Sequence, residues 1–148
     1  MLPERAVSGP QTSLARLQAA GRRLTRQRAA VVQALGALGC AVDAATLYRH
    51  ARRYHPRLAL ATVYRTLHAL VATGVVQALY FGDGRVRYEL GGTRHHHHLV
   101  CTGCGRVDRL DTCPLPRVDR LAAGRRFVVQ EHRLDLFGRC ARCRRGSR

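Results

Sequence analysis

The chain has 148 residues, 46% of them hydrophobic, and 26 basic residues against 9 acidic ones give a formal net charge of +17. This length suits one ordinary domain or two small ones, and the apolar share excludes wholesale disorder. No apolar run approaches the roughly 18 residues of a membrane span, and the opening MLPERAVSGPQTS lacks a signal peptide's hydrophobic core, so a cytoplasmic chain with no membrane partner is expected.

Every basic residue is arginine. A GC-rich genome accounts for part of that usage, but the distribution adds to it. The first 80 residues carry 11 Arg against only Glu4 and Asp43, a net of +9. Such a field attracts a phosphate backbone and makes the attraction steeply salt-dependent, so a nucleic-acid partner is expected. An anionic membrane surface is a weaker alternative, because no amphipathic stretch has a broad apolar face flanked by arginine.

In chain order, residues 1–11 read as a flexible arm. Leu14, Leu17 and Ala20 mark a short helix stopped at Gly21. Thr25 caps a second helix with Ala29, Val32 and Leu35 inward, ending near Gly36. Asp43 caps a third, which turns Leu47 and Tyr48 inward and stops before Pro56. A fourth spans residues 60–72, closed by Gly74; Val63, Leu67 and Leu70 form its inward stripe while Thr62, Arg65, Thr66 and His68 face elsewhere. The period then changes. Residues 75–81 and 85–90 read as strands joined by Gly82-Asp83-Gly84, a hairpin signal.

Helices followed by a hairpin is the order of a winged helix-turn-helix, whose last helix before the hairpin enters the major groove. Thr62, Arg65 and His68 then face DNA, and Arg85 and Arg87 on the wing suit phosphate contact. The same order is also that of a generic small α+β unit. Gly91-Gly92-Thr93 reads as a linker. Beyond it come strand-like runs at 97–101 and 106–110, a short helix near 117–123, a long strand over 127–137 and a basic tail. This second half is too small to bury much core alone, and units of that size usually need a metal or a partner.

Six cysteines without a secretory signal point to metal or redox work rather than disulfides. Cys101 and Cys104 form one C-x-x-C pair and Cys140 and Cys143 another; Cys40 and Cys113 are left over. Each pair binds one face of a tetrahedral zinc, and four thiolates leave no open coordination position, so a structural Zn2+ is expected. A thioredoxin-like reading needs a βαβ context that is absent. His95, His96, His97 and His98 precede Cys101. Side chains alternate along a strand, so His96 and His98 share one face and His95 and His97 the other. Glu89 can join one pair and His132 the other; the plain alternative is a solvated polar face. Imidazole ligands suit zinc, nickel, copper or ferrous iron and do not choose among them. No nucleophile–base pair, phosphate loop or paired carboxylates stand out, so an enzyme is not expected.

AGRRLTRQR, ATVYRTL, GDGRVRYEL, HHHHLVCTGCGRV and HRLDLFGRCARC together resemble the ferric uptake regulator family over residues 12–143. The resemblance implies a metal-dependent repressor that binds palindromic double-stranded operators as a homodimer. In fold it implies an α+β chain: a winged helix-turn-helix over 12–90, a hinge linker over 91–94, a small α/β dimerisation and metal-binding domain over 95–143 and a basic tail over 144–148. Matched residue by residue, Cys101, Cys104, Cys140 and Cys143 are structural zinc ligands. Glu89, His96 and His98 form a hinge regulatory site, and His95, His97 and His132 a second, more variable one. Tyr64 and Arg65 fall on the recognition helix, and Arg23 matches a minor-groove residue. One regulatory divalent metal per chain is implied, Zn2+, Ni2+ or Fe2+, with the histidine run favouring zinc or nickel.

Some positions depart from the family pattern. A histidine expected before the third helix is Ala41, beside Cys40, and a carboxylate expected after the second zinc cysteine is Arg109, with Asp108 one place early. The glutamate that completes the second site is missing near Leu115, with Asp119 a loose substitute, and Gln77 and Gly91 stand where zinc sensors carry ligands. Peroxide sensors use aspartate near Glu89. Two other classes compete: an Arg-rich zinc-ribbon RNA-binding protein, which needs no palindrome, and a metal buffer, which needs no DNA.

Overall fold

The computed structural model describes residues 9–92, 95–115, 120 and 124–146. The chain divides into two compact units, one ending and the next beginning between residues 94 and 95. Together they make an α+β protein.

The first unit contains α1 (Pro10–Ala19), α2 (Arg26–Leu38), α3 (Ala44–Ala51), α4 (Leu60–Ala72) and an antiparallel hairpin of β1 (Val76–Tyr80) and β2 (Val86–Leu90). Both predicted caps form: Thr25 Oγ1 accepts from the Arg28 N–H at 3.2 Å, and Asp43 Oδ1 from the Thr46 N–H at 2.7 Å. Each satisfies a backbone donor that the helix itself leaves orphaned. Leu17, Val31, Val32, Leu35, Leu47, Val63, Leu67 and Leu70 are buried in one core with Val75, Val76, Tyr88 and Leu90 from the hairpin. A fully buried aliphatic side chain contributes about 1.5–3 kcal/mol, so this cluster holds α4 at a fixed height against α2 and the hairpin. The hairpin is tied in by a short bridge, in which Val42 and Tyr88 exchange both backbone hydrogen bonds at 3.0 and 2.8 Å.

Several expectations are corrected here. Helix α1 starts at Pro10, so residues 10 and 11 are not part of an arm, while residues 1–8 lie outside those described. Helix α2 does not stop near Gly36. It runs three residues further to Gly39, which takes the left-handed φ of 67° that closes the helix. Gly36 is needed for a different reason: a Cβ there would stand 2.2 Å from Pro10 Cγ. Thr66 is buried rather than outward-facing. Gly91 is not free linker either, since its N–H donates to the Val75 carbonyl at 2.8 Å.

The second unit is built on a three-stranded sheet of order β4-β3-β5, with β3 (His97–Cys101) central, β4 (Val107–Leu110) antiparallel to it and β5 (Asp135–Gly138) parallel. A five-residue helix, α5 (Ala141–Arg145), follows. The expected strand over 127–137 is real only at its end: residues 127–134 form no strand, although the Leu134 carbonyl accepts from the His98 N–H of β3 at 3.2 Å, and Phe127 and Val128 are 66% and 81% exposed. Their apolar character suits a strand, but nothing within the described residues offers them a ladder partner. The helix expected near 117–123 falls almost wholly outside the described residues. No described helix is long and apolar enough to cross a membrane.

The topology of this sheet does most of the positioning. Because β3 and β5 are parallel, with Cys101 opposite Gly138, the residues that follow both strands emerge at the same end. At the other end, the antiparallel β4 exits and β5 enters beside the start of β3. Segments far apart in sequence thus meet at each end.

Gly91 generates a stability prediction. A Cβ at this position would stand 2.7 Å from the Gly74 carbonyl oxygen, a backbone atom also held by Arg16 Nη2 at 3.1 Å. Gly91→Ala should therefore destabilise the first unit by about 1–3 kcal/mol, read as a lower midpoint in thermal unfolding. An unchanged midpoint would show that the Gly74–Gly91 approach is not a constraint.

Candidate metal centres and nucleic-acid face

The two C-x-x-C pairs follow β3 and β5 at the same end of the sheet. Cys101 ends β3, and a tight turn brings Cys104 back, with the Gly105 N–H donating to the Cys101 carbonyl at 2.8 Å. Cys140 caps α5 and Cys143 lies within it. Thr102 staples the two turns, donating from its backbone N–H (2.8 Å) and hydroxyl (3.2 Å) to the Gly138 carbonyl. The four sulfurs all lie within 4.8 Å of one another, with Cys104 and Cys140 at 3.9 Å, and none is in a disulfide. Zinc–thiolate bonds near 2.3 Å put sulfurs roughly 3.8 Å apart on a tetrahedron, so the donor set fits Zn2+. A Cβ on Gly103 would lie 3.0 Å from Cys143 Sγ, so the first turn packs closely over the second pair.

The electrostatics suit a cation. The backbone N–H groups of Cys140 and Cys104 donate to Cys101 Sγ and hold its pKa down to about 6. Cys143 is pushed up to about 12, chiefly because without a cation its thiol is shared with Cys104 and then Cys140 and Cys101. A divalent ion takes the place of such shared protons. Arg142 and Arg106 stand near these sulfurs, and each has its pKa raised in part by them. They would offset the negative charge of a four-thiolate centre.

At the opposite end of the sheet the histidine run splits by face. His95 and His97 turn to one side, where their ring centroids are 4.6 Å apart and 4.5 and 5.3 Å from His132, three residues before β5. Cys113, three residues after β4, places its Sγ 3.2 Å from His132 Nε2. The donor atoms of His95, His97, Cys113 and His132 all lie within 4.8 Å of one another. His97 is 0% exposed, and both its ring nitrogens, like His132 Nδ1, are buried with no hydrogen-bond partner. Desolvation, and then the neighbouring imidazoles, lowers the pKa of His95 and His97 and favours the neutral form a cation requires.

His96 and His98 occupy the other face, with ring centroids 5.0 Å apart. His98 Nδ1 lies 3.2 Å from Asp135 Oδ1, and Asp135 Oδ2 accepts from Arg133 Nε at 2.7 Å. This carboxylate fixes the ring orientation of His98. Sequence reasoning missed Asp135, because only the parallel register brings it opposite His98. Glu89 belongs to the first unit, buried on β2 opposite Gln77. Asp108 is paired with Arg106 at 2.7 Å, Arg109 is paired with Asp111, and Asp119 lies outside the described residues.

In the first unit a cleft of about 320 Å³ is lined by Arg23, Thr25, Gln27 and Arg28 before and within α2 and by Thr62, Arg65 and Thr66 on α4. Arg65 Nη2 donates to Thr62 Oγ1 at 3.2 Å, and Arg28 Nη1 to the Arg23 carbonyl at 2.5 Å. Tyr64, Arg65 and His68 are exposed, as is Arg85 on the hairpin. Arg28 was not singled out from the sequence; its signal is its place one turn after Thr25 on the cleft side of α2. Arg87 is a correction. It is 2% exposed, its guanidinium is held by both carboxylate oxygens of Asp83 at 2.9 and 2.6 Å, and it lies over Phe81. The pair braces the hairpin turn and holds the Asp83 carboxyl well below the usual range, so Arg87 is not presented to a phosphate.

Residues 19–137 match the family model described as the ferric uptake regulator family. The chain is 39% identical over 134 residues to the ferric uptake regulation protein of Bacillus subtilis (strain 168), covering 86% of this chain and 89% of that one. It is 31% identical over 134 residues to the peroxide-responsive repressor PerR of Staphylococcus aureus (strain USA300), covering 90% of each. Among solved structures, the Vibrio cholerae ferric uptake regulator superposes with a TM-score of 0.72 at 31% identity over 84% of this chain and 96% of that one. The chain belongs to the ferric uptake regulator family, whose members are metal-responsive transcriptional regulators and not enzymes.

Proposed function

We propose that this chain is a metal-dependent repressor that binds palindromic double-stranded operators as a homodimer, with a divalent metal as corepressor. The observation that carries the reading is the division of labour within one chain. The helical unit has an arginine-lined cleft beside the open face of α4, and the sheet unit has thiolate and imidazole clusters suited to metal. In this reading the first unit is a winged helix-turn-helix: α4 enters the major groove with Thr62, Tyr64, Arg65 and His68, Arg23 reaches the minor groove, and Arg85 on the wing meets phosphate. Arg28, in the same cleft, joins the phosphate contacts.

The four cysteines hold a structural Zn2+, which supplies folding free energy the small sheet unit lacks. His96 and His98 bind the regulatory ion, with Glu89 as a third ligand on the strength of the family resemblance. His95, His97 and His132 form a second site. Homodimerisation is supported by the exposed apolar residues Leu99, Phe127, Val128, Leu136 and Phe137 in the sheet unit. Metal control is a matter of linkage: an ion that binds the DNA-competent shape better raises operator affinity, typically by ~1–3 kcal/mol.

The decisive experiment is a metal titration of operator binding at ~150 mM salt, roughly physiological ionic strength, with protein retaining its structural zinc. Tightening on a palindromic duplex and not on a scrambled one is expected with one of zinc, nickel or ferrous iron. Equal, metal-blind binding to both would overturn the repressor reading. In the same assay His96→Ala should keep the fold, by circular dichroism, while abolishing the metal response. Cys101→Ser or Cys140→Ser should lose the structural zinc and the dimer together; a mutant that sediments as an unchanged dimer counts against the clamp. Arg28→Ala should weaken binding to both duplexes and reduce the slope of log affinity against log salt by about 1. A slope equal to wild type would remove Arg28 from the phosphate contacts.

A further inference from the structure

We infer that Cys113 supplies the fourth ligand of a closed thiolate–tri-imidazole site with His95, His97 and His132, and that this site selects zinc-like ions over manganese or ferrous iron. The inference rests on the reading of the sheet unit as metal-binding and deepens it by naming a ligand and a metal class.

Three segments converge on the site: the start of β3, the exit of β4 and the entry to β5. All four donor atoms lie within 4.8 Å of one another, and the Cys113 Sγ–His132 Nε2 distance is 3.2 Å. In a tetrahedral zinc site, bonds of about 2.0–2.1 Å to nitrogen and 2.3 Å to sulfur put the ligand atoms roughly 3.3–3.7 Å apart. Small side-chain rotations close the remaining gap.

A second observation points independently to a cation. His97 is wholly buried with neither ring nitrogen hydrogen-bonded. Buried polar atoms are almost always satisfied, and an ion among these rings would satisfy one nitrogen of His97. The donor that completes the set is a thiol. The resemblance leads one to expect a carboxylate near Leu115, but Leu115 is exposed, and the described residue that meets the histidines is Cys113. Replacing a hard oxygen donor by a thiolate shifts preference from manganese and ferrous iron toward zinc and cobalt. Four protein ligands also leave no position for water, the mark of a closed site.

Cobalt tests this directly. The full chain, with zinc retained in the four-cysteine site, would be titrated with Co2+, and its zinc content checked afterwards. Tetrahedral visible bands and a near-ultraviolet thiolate-to-cobalt charge-transfer band are expected. Cys113→Ser should abolish the charge-transfer band and weaken zinc binding by at least the roughly 10–100-fold that loss of an outer-shell partner costs, with structural zinc retained and the thermal midpoint unchanged before cobalt is added. Cys113→Asp, which keeps a donor, should retain tetrahedral visible bands without charge transfer. Cys40→Ser should leave both features intact. Zinc should displace cobalt where manganese does not.

A charge-transfer band that persists in Cys113→Ser, wild-type cobalt spectra with octahedral bands and no tetrahedral ones, or loss of the charge-transfer band to manganese as readily as to zinc would each overturn the proposal. Because the band is read without DNA, its absence counts against this site alone. Failure of metal-dependent operator binding, with the band present, counts against the repressor reading and not this site.

Discussion

The parallel pairing of β3 with β5 is the constraint on which the sheet unit depends. β5 has only four residues, and a four-residue strand cannot hold the end of a chain in place by ladder hydrogen bonds alone. The register nevertheless sets Cys101 beside Gly138 at one end and His98 beside Asp135 at the other. Every metal-capable group in this unit except Cys113, which β4 delivers, follows from that alignment. The four-cysteine cluster closes one end, and the histidines, with Cys113 and His132, gather at the other. Sheet and clusters are therefore interdependent: the pairing brings the ligands together, and a bound ion would keep the short strand paired.

Burial gives the same result. The helical unit has an extended apolar core running from Leu17 to Leu90. In the sheet unit the buried residues among those described are Val100, Cys101 and Val107, with His97 and His98. Three small apolar side chains supply little of the hydrophobic free energy needed to offset backbone entropy. A unit in this position gains stability from metal coordination or from a partner that covers its apolar surface, and Phe127 and Val128 provide such a surface. The same shortage makes a metal an effective control element, because an ion that contributes to folding also biases shape.

Arginine is used in three ways in the first unit. Arg23, Arg28 and Arg65 line an open cleft where their charges meet solvent, the setting in which guanidinium groups recognise phosphate. Arg87 is turned inward, forked onto Asp83 and laid over Phe81, so its charge is neutralised locally. Arg16 serves the fold in a third way, donating to the Gly74 and Gly91 carbonyls. In a chain with 26 basic residues, the net field is a property of composition. Which arginines contribute to an interface is a property of packing.

The sequence by itself determined what local chemistry determines. Thr25 and Asp43 cap the helices they precede, Val63, Leu67 and Leu70 bury together on one helical face, and Gly82-Asp83-Gly84 turns the hairpin. The alternation of His95 to His98 between two faces was legible too, since it follows from the two-residue period of a strand. What the sequence could not supply were contacts between residues distant along the chain. Gly36 looked like a helix stop because a glycine's local preference is visible, whereas the Pro10 ring that needs the space above it is not. Arg87 looked like a phosphate ligand because its charge is visible and its burial is not. Asp135 and Cys113 went unrecognised because nothing in the residues beside them names the histidine each one meets. They gain their partners, His98 and His132, only from the order and direction of three strands, and that order is set by pairing across more than thirty residues of chain.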